Sequence, residues 1–184
     1  MVLCNRFSSL RLVGGILAAL GASLLPLHAT PKDRDIQAHF SAGTGCSDEL
    51  VKTIGAARWF INLQASHQIC DPVINALIDA RKRGVQVEVI LDKGAKAQTN
   101  ATADALVKAG IKTYIDAKHG MAHSSLLIVD EGQIVTGSFD FTKAPDDSAS
   151  ENILIISDTA LTAKYLESWR SHVQHAALYG AKRR

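Results

Sequence analysis

Residues 122–142 read AHSSLLIVDEGQIVTGSFDFT. Two apolar runs, SSLLIVD and QIVTG, flank an Asp-Glu-Gly segment, the composition of a β-hairpin turn. Antiparallel pairing of these runs predicts that Ser138, just past the second, folds back beside Ser125 and His123 at the head of the first. Gly137 suits a close backbone approach there, and Glu151 heads the next apolar run, NILIIS, so it is expected at the same strand ends.

Upstream the rhythm differs. Behind an extended start at 36–41, SDELVKTIGAA has helical periodicity with Ser47 as its expected N-cap, and WFINLQAS reads as a buried strand. Asp71 and Pro72 cap and open a helix with Val73, Ile74, Leu77 and Ile78 on one face, stopped by Gly84. VQVEVIL is a strand, NATADALVKAG a helix and IKTYI another strand. Strands alternating with helices call for a parallel arrangement with right-handed crossovers. Adding the hairpin, NILIIS and a last helix bearing Tyr165, Leu166, Trp169 and Val173 on one side predicts an α/β fold: one domain with a mixed β-sheet flanked by helices.

The 184 residues suffice for one well-packed domain. Residues 1–29 stand apart: Arg6 and Arg11 precede an uncharged run from Leu12 to Leu25, and Ala29 follows at a plausible cleavage point. That run is shorter than the ~20 residues a membrane span requires. A signal peptide over 1–29, a domain over 30–184, export across the inner membrane to a periplasm, and no transmembrane segment in the mature chain are therefore expected. Losing Arg6 and Arg11 lowers the formal net charge of +2 to zero. Bulk charge thus makes no case for nonspecific nucleic-acid binding.

In an oxidising compartment Cys46 and Cys70 are either a disulfide or two buried thiols. Histidine spacing predicts no metal site. Gly120 breaks any helix across His119 and His123, and His172 and His175 fall on what reads as a solvated helix face.

The pattern His123-x-Ser125-x4-Asp130-x6-Gly137-Ser138-x-Asp140 resembles the signature of the phospholipase D superfamily, His-x-Lys-x4-Asp-x6-Gly-Ser-x-Asn, with every interval intact. GSFDFTKA and Ser150-Glu151-Asn152 resemble its short, single-motif Nuc-type members, and the likeness runs from about Ile36 to Trp169. It implies a phosphodiesterase needing no cofactor, acting on nucleic acid or phospholipid. One histidine attacks phosphorus and a second protonates the leaving oxygen. With one motif per chain, a homodimer supplies both, His123 from each protomer. The resemblance makes Glu151 the carboxylate that holds the histidine ring and Ser138 a phosphate contact. Asp130 belongs to the catalytic signature or shapes the turn.

Two positions depart from the pattern. Ser125 replaces the phosphate-binding lysine and Asp140 the asparagine. Loss of one preorganised donor costs roughly a hundredfold to a thousandfold in rate elsewhere. An ionised Asp140 about 4 Å from phosphoryl oxygens adds repulsion of about 4 kcal/mol at an effective dielectric near 20. Weakened or lost activity follows, unless Lys143 neutralises Asp140, Asp140 is protonated, or His67 enters as a substitute cation. Loss of activity would leave a non-catalytic relative that binds a phosphorylated ligand or a protein.

Overall fold

The computed structural model describes residues 35–41, 45–66, 68–93, 96–119, 124–142 and 150–180. In chain order the elements are β1 (Asp35–Phe40), α1 (Cys46–Ala56), β2 (Phe60–Ala65), α2 (Asp71–Lys82), β3 (Gln86–Asp92), α3 (Lys96–Lys108), β4 (Lys112–Asp116), β5 (Leu126–Val129), β6 (Gln133–Gly137), β7 (Asn152–Ser157), α4 (Thr159–His175) and β8 (Ala177–Leu178). The strands form one sheet in the order β1-β7-β6-β5-β2-β3-β4-β8. β2, β3 and β4 are parallel, and the β5–β6–β7–β1 half is antiparallel throughout. The mixed α/β architecture expected from the sequence is the one observed.

Alternation of side chains across the strands divides the interior into two cores. Leu63, Val89, Leu127, Val135 and Ile153 face α1, α2 and α3, where Leu50 and Ile54, Val73 and Leu77, and Leu106 meet them. On the other face Ile90, Leu126, Ile128 and Ile134 pack with Trp169, backed by Tyr165, Leu166 and Val173 of α4. Each large apolar side chain buried in this way contributes roughly 1.5–3 kcal/mol.

The helix starts differ locally from expectation. α1 is entered through Gly45 (φ 69°) with no side-chain cap, two residues ahead of Ser47, the expected N-cap. The burial of Cys46 draws the first turn back, and Asp48 and Glu49 complement the helix dipole in place of a cap. α4 is capped by Asp158, whose Oδ1 accepts from the N–H groups of Ala160 (2.9 Å) and Leu161 (3.0 Å). Among the described residues no helix is long and apolar enough to cross a membrane.

The topology gives the sheet two unlike rims. At one rim lie the carboxyl ends of β2, β3 and β4 together with the start of β5, the end of β6, the start of β7 and the end of β1. At the opposite rim lie the β5–β6 turn and the start of β2. In open α/β sheets ligands bind beyond the carboxyl ends of parallel strands.

Candidate active site

The strand register assembles the site at that first rim. Leu126 pairs with Thr136, and Gly137 with Ile153, so Ser125, Ser138 and Glu151 sit at three successive strand ends, of β5, β6 and β7. Thr136 Oγ1 donates to the Ser125 carbonyl at 3.0 Å and fixes the entry to β5. Ser138 Oγ accepts from the Asn152 N–H at 3.0 Å and from Asn152 Nδ2 at 3.3 Å, tying β6 to β7 while Ser138 itself stays exposed.

Gly137 is required for this approach. A Cβ there would stand 2.2 Å from the Asn152 carbonyl oxygen and 2.8 Å from Ile153 Cα, so no other residue fits without moving backbone.

Glu151 is held by a contact that sequence reasoning missed. Ser41 donates its N–H to the Glu151 carbonyl at 2.9 Å, and Ser41 Oγ accepts the Glu151 N–H at 2.9 Å. The Cys46 thiol lies 3.9 Å from the same carbonyl. The half-buried Glu151 is therefore positioned through its backbone by two buried residues from the first segments of the fold. Ser41 lies 110 residues away in sequence, with no spacing signal to reveal it.

Asp140 is committed locally. Its Oδ1 accepts from the Thr142 N–H at 3.1 Å and from the Thr142 hydroxyl, an Asx-type turn leading through Phe141, which is buried at φ 65°. The Phe141 carbonyl accepts the Cys70 N–H at 2.8 Å, anchoring this loop to the start of α2. An aspartate closes such a turn through the same oxygen as an asparagine, and this accounts physically for the exchange at position 140.

Of the two readings of Asp130, the geometry shows the turn-shaping one: at the opposite rim its carboxylate accepts the N–H groups of Arg58 (3.2 Å), Trp59 (2.8 Å) and Phe60 (3.0 Å). The four residues of β5, about 13 Å at strand rise, separate it from Ser125. Cys46 and Cys70 are both buried, in the first turn of α1 and at the N-cap of α2.

His172 and His175 also depart from the solvated face assigned to them. Their side chains are 26% and 23% exposed, and their ring nitrogens face the buried carboxylate of Asp116, as does that of His119. His123, His67 and Lys143 lie outside the described residues.

Comparison with known proteins agrees with this geometry. The family described as cardiolipin synthase, PLD-like domain, matches residues 50–173. A phospholipase D of Rickettsia bellii is 36% identical over 132 residues, covering 72% of this chain and 66% of that one. A phospholipase D of Rickettsia typhi is 34% identical over 138 residues, covering 75% and 68%. The chain thus spans about two thirds of the length of these curated relatives. Among solved structures, the phospholipase D family member Nuc from Salmonella typhimurium superposes with a TM-score of 0.76 at 26% identity, over 81% of this chain and all of that one. With its sheet, its rim of strand ends and the spacing of its motif all of this type, the chain belongs to the phospholipase D-like domain family.

Proposed function

We propose that this protein hydrolyses a phosphodiester of nucleic acid or phospholipid through His123, at a rate lowered by Ser125. The observation that carries the proposal is the register of β5, β6 and β7, which sets Ser125, Ser138 and Glu151 side by side at one rim, two residues from His123 in sequence. In this scheme a His123 ring nitrogen attacks phosphorus and the bond to the leaving oxygen breaks. That oxygen takes its proton from the His123 of a second copy. The same second imidazole then deprotonates a water, which cleaves the phosphorus–nitrogen bond and frees the first histidine. Glu151 orients an imidazole, and Ser138 contacts the phosphate.

A single motif needs a second copy, and the fold has an open face for it. On the edge strand β1, Ile36 and Phe40 are 56% and 60% exposed. Both point to the same side as the half-buried Ile156 of β7, beyond the strands α4 covers. An apolar patch beside the site supports a homodimer that brings two rims together. The leader-like residues 1–29 support export to a periplasm.

The second reading, a non-catalytic relative that binds a phosphorylated ligand or a protein partner, is favoured by Ser125, since β5 carries no cation where the family places its lysine. One experiment separates the two. The purified protein is given a chromogenic phosphodiester, DNA and phosphatidylcholine, with and without EDTA, beside His123→Ala. Turnover above that control supports the enzyme; its absence in a folded dimer removes it. Ser125→Lys is expected to raise turnover more than Asp140→Asn, because Asp140 Oδ1 is already occupied by Thr142.

A further inference from the structure

Three of the chain's seven histidines meet one buried carboxylate far from the motif. Asp116 ends β4 and is 1% exposed. Its Oδ2 lies 2.8 Å from His119 Nδ1, 3.2 Å from His172 Nδ1 and 3.4 Å from His175 Nε2, while its Oδ1 accepts the Lys118 N–H at 2.9 Å. The histidines come from two places, the turn after β4 and the last turn of α4, where positions three apart share a face.

The three rings stand around a common point. Their centroids are 5.2, 5.2 and 5.4 Å apart, with planes tilted by 48°, 66° and 56°, close to a three-bladed propeller.

Hydrogen bonding alone does not account for this arrangement. A carboxylate oxygen has two lone pairs and here faces three ring nitrogens. One of these, the buried His175 Nε2, makes no hydrogen bond among the described residues. Burial raises the Asp116 pKa, but hydrogen bonds from His119, His172 and the Lys118 N–H, together with the charge of His119, outweigh it and hold the carboxyl well below the usual carboxylate range.

The dimensions suit a small divalent ion. With metal–ligand bonds of about 2.0–2.1 Å, the edge of a tetrahedron is about 3.3 Å. Two of the nitrogen–oxygen separations, 3.2 and 3.4 Å, already have that length, and all four ligand atoms lie within 4.8 Å of one another. Three imidazoles and one carboxylate favour zinc over calcium or magnesium, which demand more oxygens, and over copper(I), which favours sulfur. A second carboxyl group, that of buried Asp92, lies in register beside Asp116 on β3. His119, 43% exposed, gives the ion a way in.

We propose that Asp116, His119, His172 and His175 bind one zinc ion, at a structural site separate from the phosphodiester site. Four protein ligands close the coordination shell, which marks a structural rather than a catalytic centre. β5 and β4 are three strands apart, about 14 Å along the rim, so the ion takes no part in chemistry at Ser125. Its work is to clamp the end of α4 onto the end of β4.

The test is a titration of the chelator-stripped full chain with zinc by calorimetry, and with cobalt(II) by visible absorption. One zinc per chain and the intense ligand-field bands of four-coordinate cobalt are expected. Both disappear in His172→Ala/His175→Ala and in the milder His119→Ala, and both persist in His39→Ala. No binding, a weak six-coordinate cobalt spectrum, or unchanged stoichiometry in the His119 and His172/His175 variants overturns the proposal. The cobalt spectrum of the unmutated chain decides even if a variant fails to fold.

Discussion

Trp59 and Asp130, 71 residues apart in sequence, are joined by a 2.8 Å hydrogen bond from the Trp59 N–H to Asp130 Oδ1. The same oxygen takes the Phe60 N–H, and Oδ2 takes that of Arg58. The signature aspartate is thus the clip that holds the β5–β6 turn to the first residues of β2.

Asp130→Ala should lower stability by roughly 2–3 kcal/mol, since three charge-assisted hydrogen bonds are lost and only the partly buried Phe60 N–H is hard to rehydrate. Asp130→Asn should cost about half as much, because it keeps one acceptor and tolerates φ 52°. Urea unfolding at fixed chain concentration measures both. Activity per folded molecule should be unchanged; a specific loss of kcat would return Asp130 to the chemistry.

Gly137→Ala should be among the most damaging single-methyl changes in the chain, costing at least about 2–3 kcal/mol, because the clash is with backbone and not with a flexible side chain. Gly55→Ala in α1 meets nothing within 4 Å and should stabilise by roughly 0.5–1 kcal/mol. Thermal unfolding of the two variants side by side checks the contrast.

Ser41→Ala removes the acceptor for the Glu151 N–H in a buried setting and should cost about 1–2 kcal/mol. If Glu151 orients an imidazole, kcat should fall while KM stays nearly constant, and the pH profile should shift. Equal stability loss with an unaltered profile would leave Ser41 a purely structural contact.

Zinc at a hundredfold excess over its Kd should add about 2.7 kcal/mol to stability. For a domain of this size that raises Tm by roughly 5–10 °C. EDTA should reverse the gain without changing the rate of phosphodiester cleavage at a temperature where both forms are folded. A fall in rate under those conditions would put the metal in the reaction.

The fold was legible where its signals are local. β2 reads as a buried run, α2 as an apolar stripe behind Pro72, the hairpin as two short runs around Asp-Glu-Gly, and α4 packs on the side carrying Tyr165, Leu166, Trp169 and Val173. Two-residue β8 pairs through Tyr114 and Ile115 and leaves no periodic trace. The motif brought Ser125, Ser138 and Glu151 together because pairing register converts spacing into proximity. It left Asp130 open between signature and turn because a constant interval to the histidine does not say at which end of a strand a residue falls.

The histidine cluster was invisible for the complementary reason. Each pair fails the usual spacing tests, and the organising residue, Asp116, is 56 positions from His172. Only the return of α4 across the sheet brings them together.

The two unlike rims make the molecule directional. The groups proposed to meet a ligand or an ion face one way, and the opposite end presents the clipped turn, with exposed Glu131 near exposed Arg58 and Trp59. A fluorophore or surface tether at position 131 would therefore report on, or immobilise, the protein with its working end turned toward solution.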